Sequence, residues 1–99
     1  MLNSKQRAIL RSEATKIESI FQVGKGGVSD AISSTLCDAL EARELIKLSV
    51  LENSPDEIRS VADQLSESTG AEVVACIGRK IILYKESSKE KNKKYSLLI

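Results

Sequence analysis

Ser19-Ile20-Phe21-Gln22-Val23-Gly24-Lys25-Gly26-Gly27-Val28-Ser29-Asp30 is the stretch from which the fold is read. Ser19–Val23 has its apolar run at Ile20 and Phe21 with no strong helix former between them, which predicts a short strand. Gly24-Lys25-Gly26-Gly27 breaks the pattern. From about Ser29 to Arg43, Ile32, Leu36, Ala39 and Leu40 recur at helical spacing, so a helix with one buried stripe follows. Ser29 is its natural N-cap, and Asp30 lies in the first turn, near the positive helix end. A strand running through a glycine loop into a helix places the chain among α/β proteins.

The same periodicities extend the reading outward. Upstream, Leu10, Ala14 and Ile17 predict a helix over 4–17, capped by Asn3 or Ser4. Downstream, residues 44–51 alternate, with Ile46, Leu48 and Val50 on one face and Lys47 and Ser49 on the other. Ser54 and Glu57 have capping-box spacing with Pro55 between them, and Ile58, Val61, Ala62 and Leu65 form an inward stripe that stops at Gly70. Residues 72–77 and 80–85 read as a hairpin turning at Gly78-Arg79. The first of these strands is apolar on both faces and is expected in the middle of the sheet. The predicted order is αβαβαββ, a two-layer or three-layer α/β sandwich with a four-stranded mixed sheet. A single domain over residues 1–85 is followed by a charged segment, 86–99, without apolar periodicity and expected to be mobile.

Composition narrows the chemistry. The chain has 99 residues, 41% hydrophobic and 29% charged, which is ordinary for one globular domain. It contains no histidine, so imidazole bases and histidine metal ligands are excluded. Cys37 and Cys76 have no CxxC partner and read as small buried hydrophobes in a reducing compartment, neither a disulfide nor a metal site. Asp56, Glu57, Asp63 and Glu67 read as a solvated helix face rather than an acid/base pair. No apolar run approaches the about 20 residues of a membrane span, and the first residues lack the features of a secretory signal. The expectations are therefore no enzyme activity, no cofactor, no metal, no membrane partner and a cytoplasmic location.

The net charge is only +1, but it is segregated. Residues 1–28 carry Lys5, Arg7, Arg11, Lys16 and Lys25 against Glu13 and Glu18. Residues 52–78 carry Arg59 against six carboxylates. Residues 79–99 carry seven basic side chains against Glu86 and Glu90. A fold that joins the ends would have a positive face. Beside this, the glycine loop offers backbone that another backbone can approach closely, free N–H groups at a helix start, and a mobile cation at Lys25. A Walker loop fails because Gly26 follows Lys25, and a dinucleotide fingerprint fails because Ser29 stands where the third glycine is needed. A tight turn without a ligand remains open beside a Gly-x-x-Gly clamp on a nucleic-acid backbone, as in KH modules.

The chain resembles the YhbY-like proteins, the stand-alone bacterial form of the CRM domain (chloroplast RNA splicing and ribosome maturation). The resemblance rests on Leu2-Asn3-Ser4-Lys5-Gln6-Arg7-Ala8, Val23-Gly24-Lys25-Gly26-Gly27-Val28, Ala39-Leu40-Glu41-Ala42-Arg43-Glu44-Leu45-Ile46-Lys47, Ile77-Gly78-Arg79 and Leu83-Tyr84-Lys85. It implies a fold similar to the C-terminal domain of translation initiation factor 3. It also implies RNA binding, with ribosomal RNA and precursors of the large ribosomal subunit as partners; a monomer is expected. The RNA-binding residues it implies are Gly24, Lys25, Gly26 and Gly27 in the loop, Lys5, Gln6 and Arg7 in the first helix, Lys47 in the middle strand and Arg79 in the hairpin. Lys85 stands where relatives often carry arginine, which keeps the charge and loses bidentate phosphate geometry. A different class of function, a ribosome-associated protein adaptor, would use the acidic third helix.

Overall fold

The computed structural model describes residues 2–54 and 56–99. Its sheet is organised around β2 (Leu45–Val50), whose alternation turns Ile46, Leu48 and Val50 to one face and Leu45, Lys47 and Ser49 to the other. β1 (Ser19–Val23) pairs with β2 in parallel, and β4 (Lys80–Tyr84) pairs with it in antiparallel. β3 (Glu72–Ile77) completes the sheet in the order β1-β2-β4-β3. The parallel β1–β2 pair requires a crossover, and α2 (Asp30–Arg43) supplies it.

Both faces of the sheet are covered, so of the two expected arrangements the fold is the three-layer one. Leu36 and Leu40 of α2, with Val61, Ala62 and Leu65 of α3 (Ile58–Thr69), close over Val23, Ile46, Leu48, Val50, Ile81 and Leu83. On the other face Leu10 and Ala14 of α1 (Ser4–Ala14) cover Leu45, Val74, Ile82 and Tyr84.

The structure corrects four sequence expectations. The first helix ends at Ala14 rather than Ile17, because the N–H groups of Thr15, Lys16 and Ile17 each bond back three residues as the chain turns toward β1. The third helix starts at Ile58 with Glu57 as a cap that makes no side-chain bond. Ser54 instead closes a turn through its N–H to the Leu51 carbonyl at 3.0 Å, so it is not the N-cap. The expected first-turn Pro55 lies outside the described residues. The last strand stops at Tyr84, one residue early. Finally, β3 is an edge strand, not a central one. Its two apolar faces report the layers above and below it, Val74 in the α1-side core and Val73 packed against the core on the α3 side. They say nothing of a neighbour in the hydrogen-bonding direction. The Arg7 guanidinium donates to the Val73 and Val74 carbonyls at this strand.

Residues 86–99 pack through polar contacts that hydrophobic periodicity does not register. Glu44 ends α2 at φ 66°, its N–H bonded to the Leu40 carbonyl and its own carbonyl to the Lys85 N–H. Its side chain is fully buried. The carboxylate accepts from the N–H groups of Ser87 (2.9 Å), Lys94 (2.7 Å) and Ser96 (3.0 Å) and from the Ser96 hydroxyl (2.6 Å). Glu41, one helical turn earlier, accepts from the Ser87 hydroxyl and the Ser88 N–H. A single 3₁₀ turn (Glu90–Asn92) and the short α4 (Tyr95–Leu98) follow, and Tyr95 is buried against the α1-side core.

Candidate nucleic-acid interface

The glycines of the loop differ in what the fold asks of them. Gly27 sits at φ 65°, in the left-handed region, and its N–H closes the turn on the Gly24 carbonyl at 2.9 Å. A Cβ on Gly24 would lie 3.2 Å from Leu51 Cδ1, a tight contact that the exposed leucine would have to shift to accommodate. Gly26 is different. A Cβ at that position would meet nothing within 4 Å, and its φ is not positive, so neither space nor strain within the chain requires glycine. Lys25 and Gly26 are exposed, and among the described residues their N–H groups have no acceptor. The Ser29 hydroxyl caps α2 by accepting from the Ile32 N–H at 3.2 Å, which leaves the first two helical N–H groups pointing past the loop. The loop therefore presents donors and one cation around a position open to close backbone approach.

The parallel register places this loop at one end of the sheet. Val23 lies opposite Val50, and the Leu51 N–H reaches the Val23 carbonyl at 2.8 Å. The β3–β4 turn lies at the same end, and Arg79 ties it in. Arg79 Nε donates to the Val50 carbonyl and Nη2 to the Leu51 carbonyl, both at 2.7 Å. Two of the five guanidinium donors are thus spent on the chain, and the rest face outward on an exposed residue.

Lys47 lies on the α1 face of β2, where α1 leaves the sheet partly uncovered. The antiparallel register sets Ser49 opposite Lys80, and the Lys80 ammonium donates to Ser49 Oγ at 2.8 Å, which pairs with Ser19 Oγ at 2.6 Å. Lys47, Lys80 and Arg11 line one shallow cleft of about 270 Å³ with an apolar floor at Ile77 and Ile82. None of these three, nor Lys25, is in an ion pair among the described residues. Lys80 and Arg11 are the residues that sequence reasoning missed. Alternation along both strands, together with the tight turn at Gly78-Arg79, would have set Lys80 on the Lys47 face.

Lys5, Gln6 and Arg7 do not join this cluster. They start α1 at the opposite end of the sheet, beside Glu72 and Val73. Gln6 is engaged in a capping box, its N–H bonded to Asn3 Oδ1 at 2.8 Å and its Oε1 accepting from the Asn3 N–H at 3.1 Å. Arg7 holds α1 on β3, and only Lys5 is exposed. Lys85 is likewise engaged, donating to the Thr69 carbonyl at 3.0 Å.

The most perturbed acid lies away from the loop. Burial alone would raise the Glu44 pKa, but the Ser96 hydroxyl and the N–H groups of Ser96, Ser87 and Lys94 outweigh it and hold the carboxyl at about 2. Such a group is a structural anion, not a proton shuttle. Cys37 and Cys76 are free thiols, and among the described residues no group of three or more acidic or thiol side chains is placed to hold a metal ion. Among those residues no helix is long and apolar enough to cross a membrane.

Residues 2–85 match the family model of the CRS1/YhbY (CRM) domain. The chain is 48% identical over 91 residues to the "Probable RNA-binding protein YqeI" of Bacillus subtilis, covering 92% of this chain and 95% of that one. It is 26% identical over 90 residues to an "RNA-binding protein" of Haemophilus influenzae, covering 91% of each. Among solved structures it is similar to "the hypothetical protein SAV1595 from Staphylococcus aureus, a putative RNA binding protein". The TM-score is 0.78 and the identity 45%, over 95% of this chain and 98% of that one.

Proposed function

We propose that this chain, which belongs to the CRS1/YhbY (CRM) domain family, is an RNA-binding protein that docks its Gly-Lys-Gly-Gly loop on the backbone of structured RNA. The observation that carries the reading is Gly26, the loop glycine for which the fold itself has no use. Open space above it, flanked by unpaired N–H groups and Lys25, fits a phosphodiester backbone arriving from outside. Lys47, Lys80 and Arg11 continue the positive surface on the open part of the sheet, and Arg79 supports the rim between them. The names of its relatives support RNA as the ligand. Phosphate contacts of this kind position a protein without reading sequence, so selectivity comes from RNA shape.

In this reading the RNA is ribosomal, bound during assembly of the large subunit, and the protein acts as a cytoplasmic monomer without catalysis or cofactor. Lys5, Gln6 and Arg7 have the smaller part, since their geometry is that of a helix start.

The test is RNA affinity against salt for the wild type and for Lys25→Ala/Gly26→Asp, both first shown to be folded. The wild type should bind fragments of large-subunit RNA with a steep salt slope. The double variant should lose affinity and one or more phosphates' worth of slope, each about 0.7–0.9 in log–log terms. Equal affinity and slope for the two proteins would remove the loop from the interface. Equal binding to large- and small-subunit RNA would remove the large-subunit assignment, and equal binding to non-ribosomal RNA of similar structure the ribosomal one.

A further inference from the structure

A second cleft, of about 490 Å³, opens on the β1 side of Lys47 and has no part in the loop contact. We infer that it receives one unpaired nucleotide of the bound RNA, whose base carries an exocyclic amino group; the inference rests on the RNA-binding reading above. Its floor is apolar and its rim is cationic. β1 is an edge strand, and an irregularity in its pairing between Ser19 and Phe21 leaves Ile20 outside the regular alternation and 36% exposed. Ile20 lines the cleft together with Tyr95, and Arg43, Lys47 and Lys94 supply three cations around it. Among the described residues none of the three is in an ion pair.

An apolar slot bordered by cations fits a ligand with a flat apolar body and an anionic linker, which describes a nucleotide. The wall carrying Lys94 and Tyr95 is built. The Lys94 N–H is fixed on the buried Glu44 carboxylate at 2.7 Å, and Asn92 Nδ2 on the Glu41 carbonyl at 3.2 Å. Lys47 lines both clefts, so a strand whose phosphate rests on Lys47 can continue toward Lys80 and Arg11 while one base turns the other way. A paired base cannot enter, because its partner strand would occupy the rim. Glu18 also lines the cleft and is the acidic residue in an otherwise basic lining. A carboxylate accepts two parallel bonds from the N1–H and amino N–H of guanine and an amino N–H from adenine or cytosine. Uracil offers it a single N3–H set between two carbonyl oxygens that repel it.

The experiment compares RNA hairpins that are identical except for a single-nucleotide bulge of guanine, a bulge of uracil, or none. The proteins are wild type, Ile20→Ser and Glu18→Gln. Ile20 and Glu18 lie outside the buried core, and circular dichroism verifies that each variant is folded. The guanine bulge should bind the wild type about tenfold more tightly than the paired stem, the size expected for docking one base. Ile20→Ser should abolish that gain and leave paired-stem affinity unchanged. Glu18→Gln should erase the preference for guanine over uracil. If all three hairpins bind the wild type equally with a steep salt slope, the cleft is overturned and the RNA reading stands. If Ile20→Ser keeps the gain, the bulge docks elsewhere and the cleft is overturned. If uracil binds the wild type as tightly as guanine, the role of Glu18 is overturned. If no hairpin binds at any salt, the RNA reading fails and the cleft with it.

Discussion

Replacing Glu44 by glutamine should remove the part of the acid sensitivity of this protein's stability that belongs to the buried carboxylate. The carboxyl is held at about 2 against an ordinary 4.5, a difference worth roughly 3 kcal/mol once it is ionised in both the folded and the unfolded chain. The folded pKa is depressed, so this stabilisation is fully present above the unfolded value near 4.5. It is lost as pH falls from there through about 2. Glutamine keeps the shape but has one acceptor oxygen for four donors, and its amide group points N–H against N–H. Urea melts of wild type and Glu44→Gln between pH 7 and pH 2.5 check it. At pH 7 the wild type should lead by about 3 kcal/mol, and the lead should narrow steadily below pH 4.5. Glu41 and Glu72 also have lowered pKa values, but they titrate in both proteins and cancel in the difference. Amide exchange at Ser87, Lys94 and Ser96 should speed up in the variant. A lead that is the same at every pH, or absent at pH 7, would show that the Glu44 charge does not hold residues 87–96.

Gly27→Ala should cost about 1 kcal/mol in a thermal melt because it forces a side chain into the left-handed region, whereas Gly26→Ala should be neutral or slightly stabilising yet weaken RNA binding. Arg79→Lys should lower stability by about 1–2 kcal/mol, since lysine cannot reach both the Val50 and Leu51 carbonyls, while the salt slope of RNA binding stays as it was. Asn3→Ala should cost about 1 kcal/mol and accelerate amide exchange at Gln6, with RNA affinity unchanged.

The fold was legible in the sequence because hydrophobic period is a local property. Ile32, Leu36 and Leu40 mark a helix by spacing alone, and the alternation of Ile46, Leu48 and Val50 with Lys47 and Ser49 marks a strand with one face on a core. Capping chemistry is local as well, and Asn3, Ser29 and Gly70 end their helices as their residue types dictate. The glycine loop was visible for the same reason, although four letters could not distinguish Gly26 from Gly24 and Gly27. That difference is set by the left-handed backbone at Gly27 and by Leu51, which follows β2 and lies against Gly24. Arg7 and Arg79 are equally basic on paper, and only the folded chain spends their guanidinium groups on carbonyls 66 and 29 positions away. The sequence by itself determined the elements as far as β4, their order and the presence of the glycine loop. Tertiary structure alone decided that β3 lies at an edge, that Lys80 stands across from Ser49 and that Glu44 gathers the chain from Ser87 to Ser96. Period records which faces are buried, whereas strand order and polar pairing depend on groups distant in the chain that meet only once it has folded.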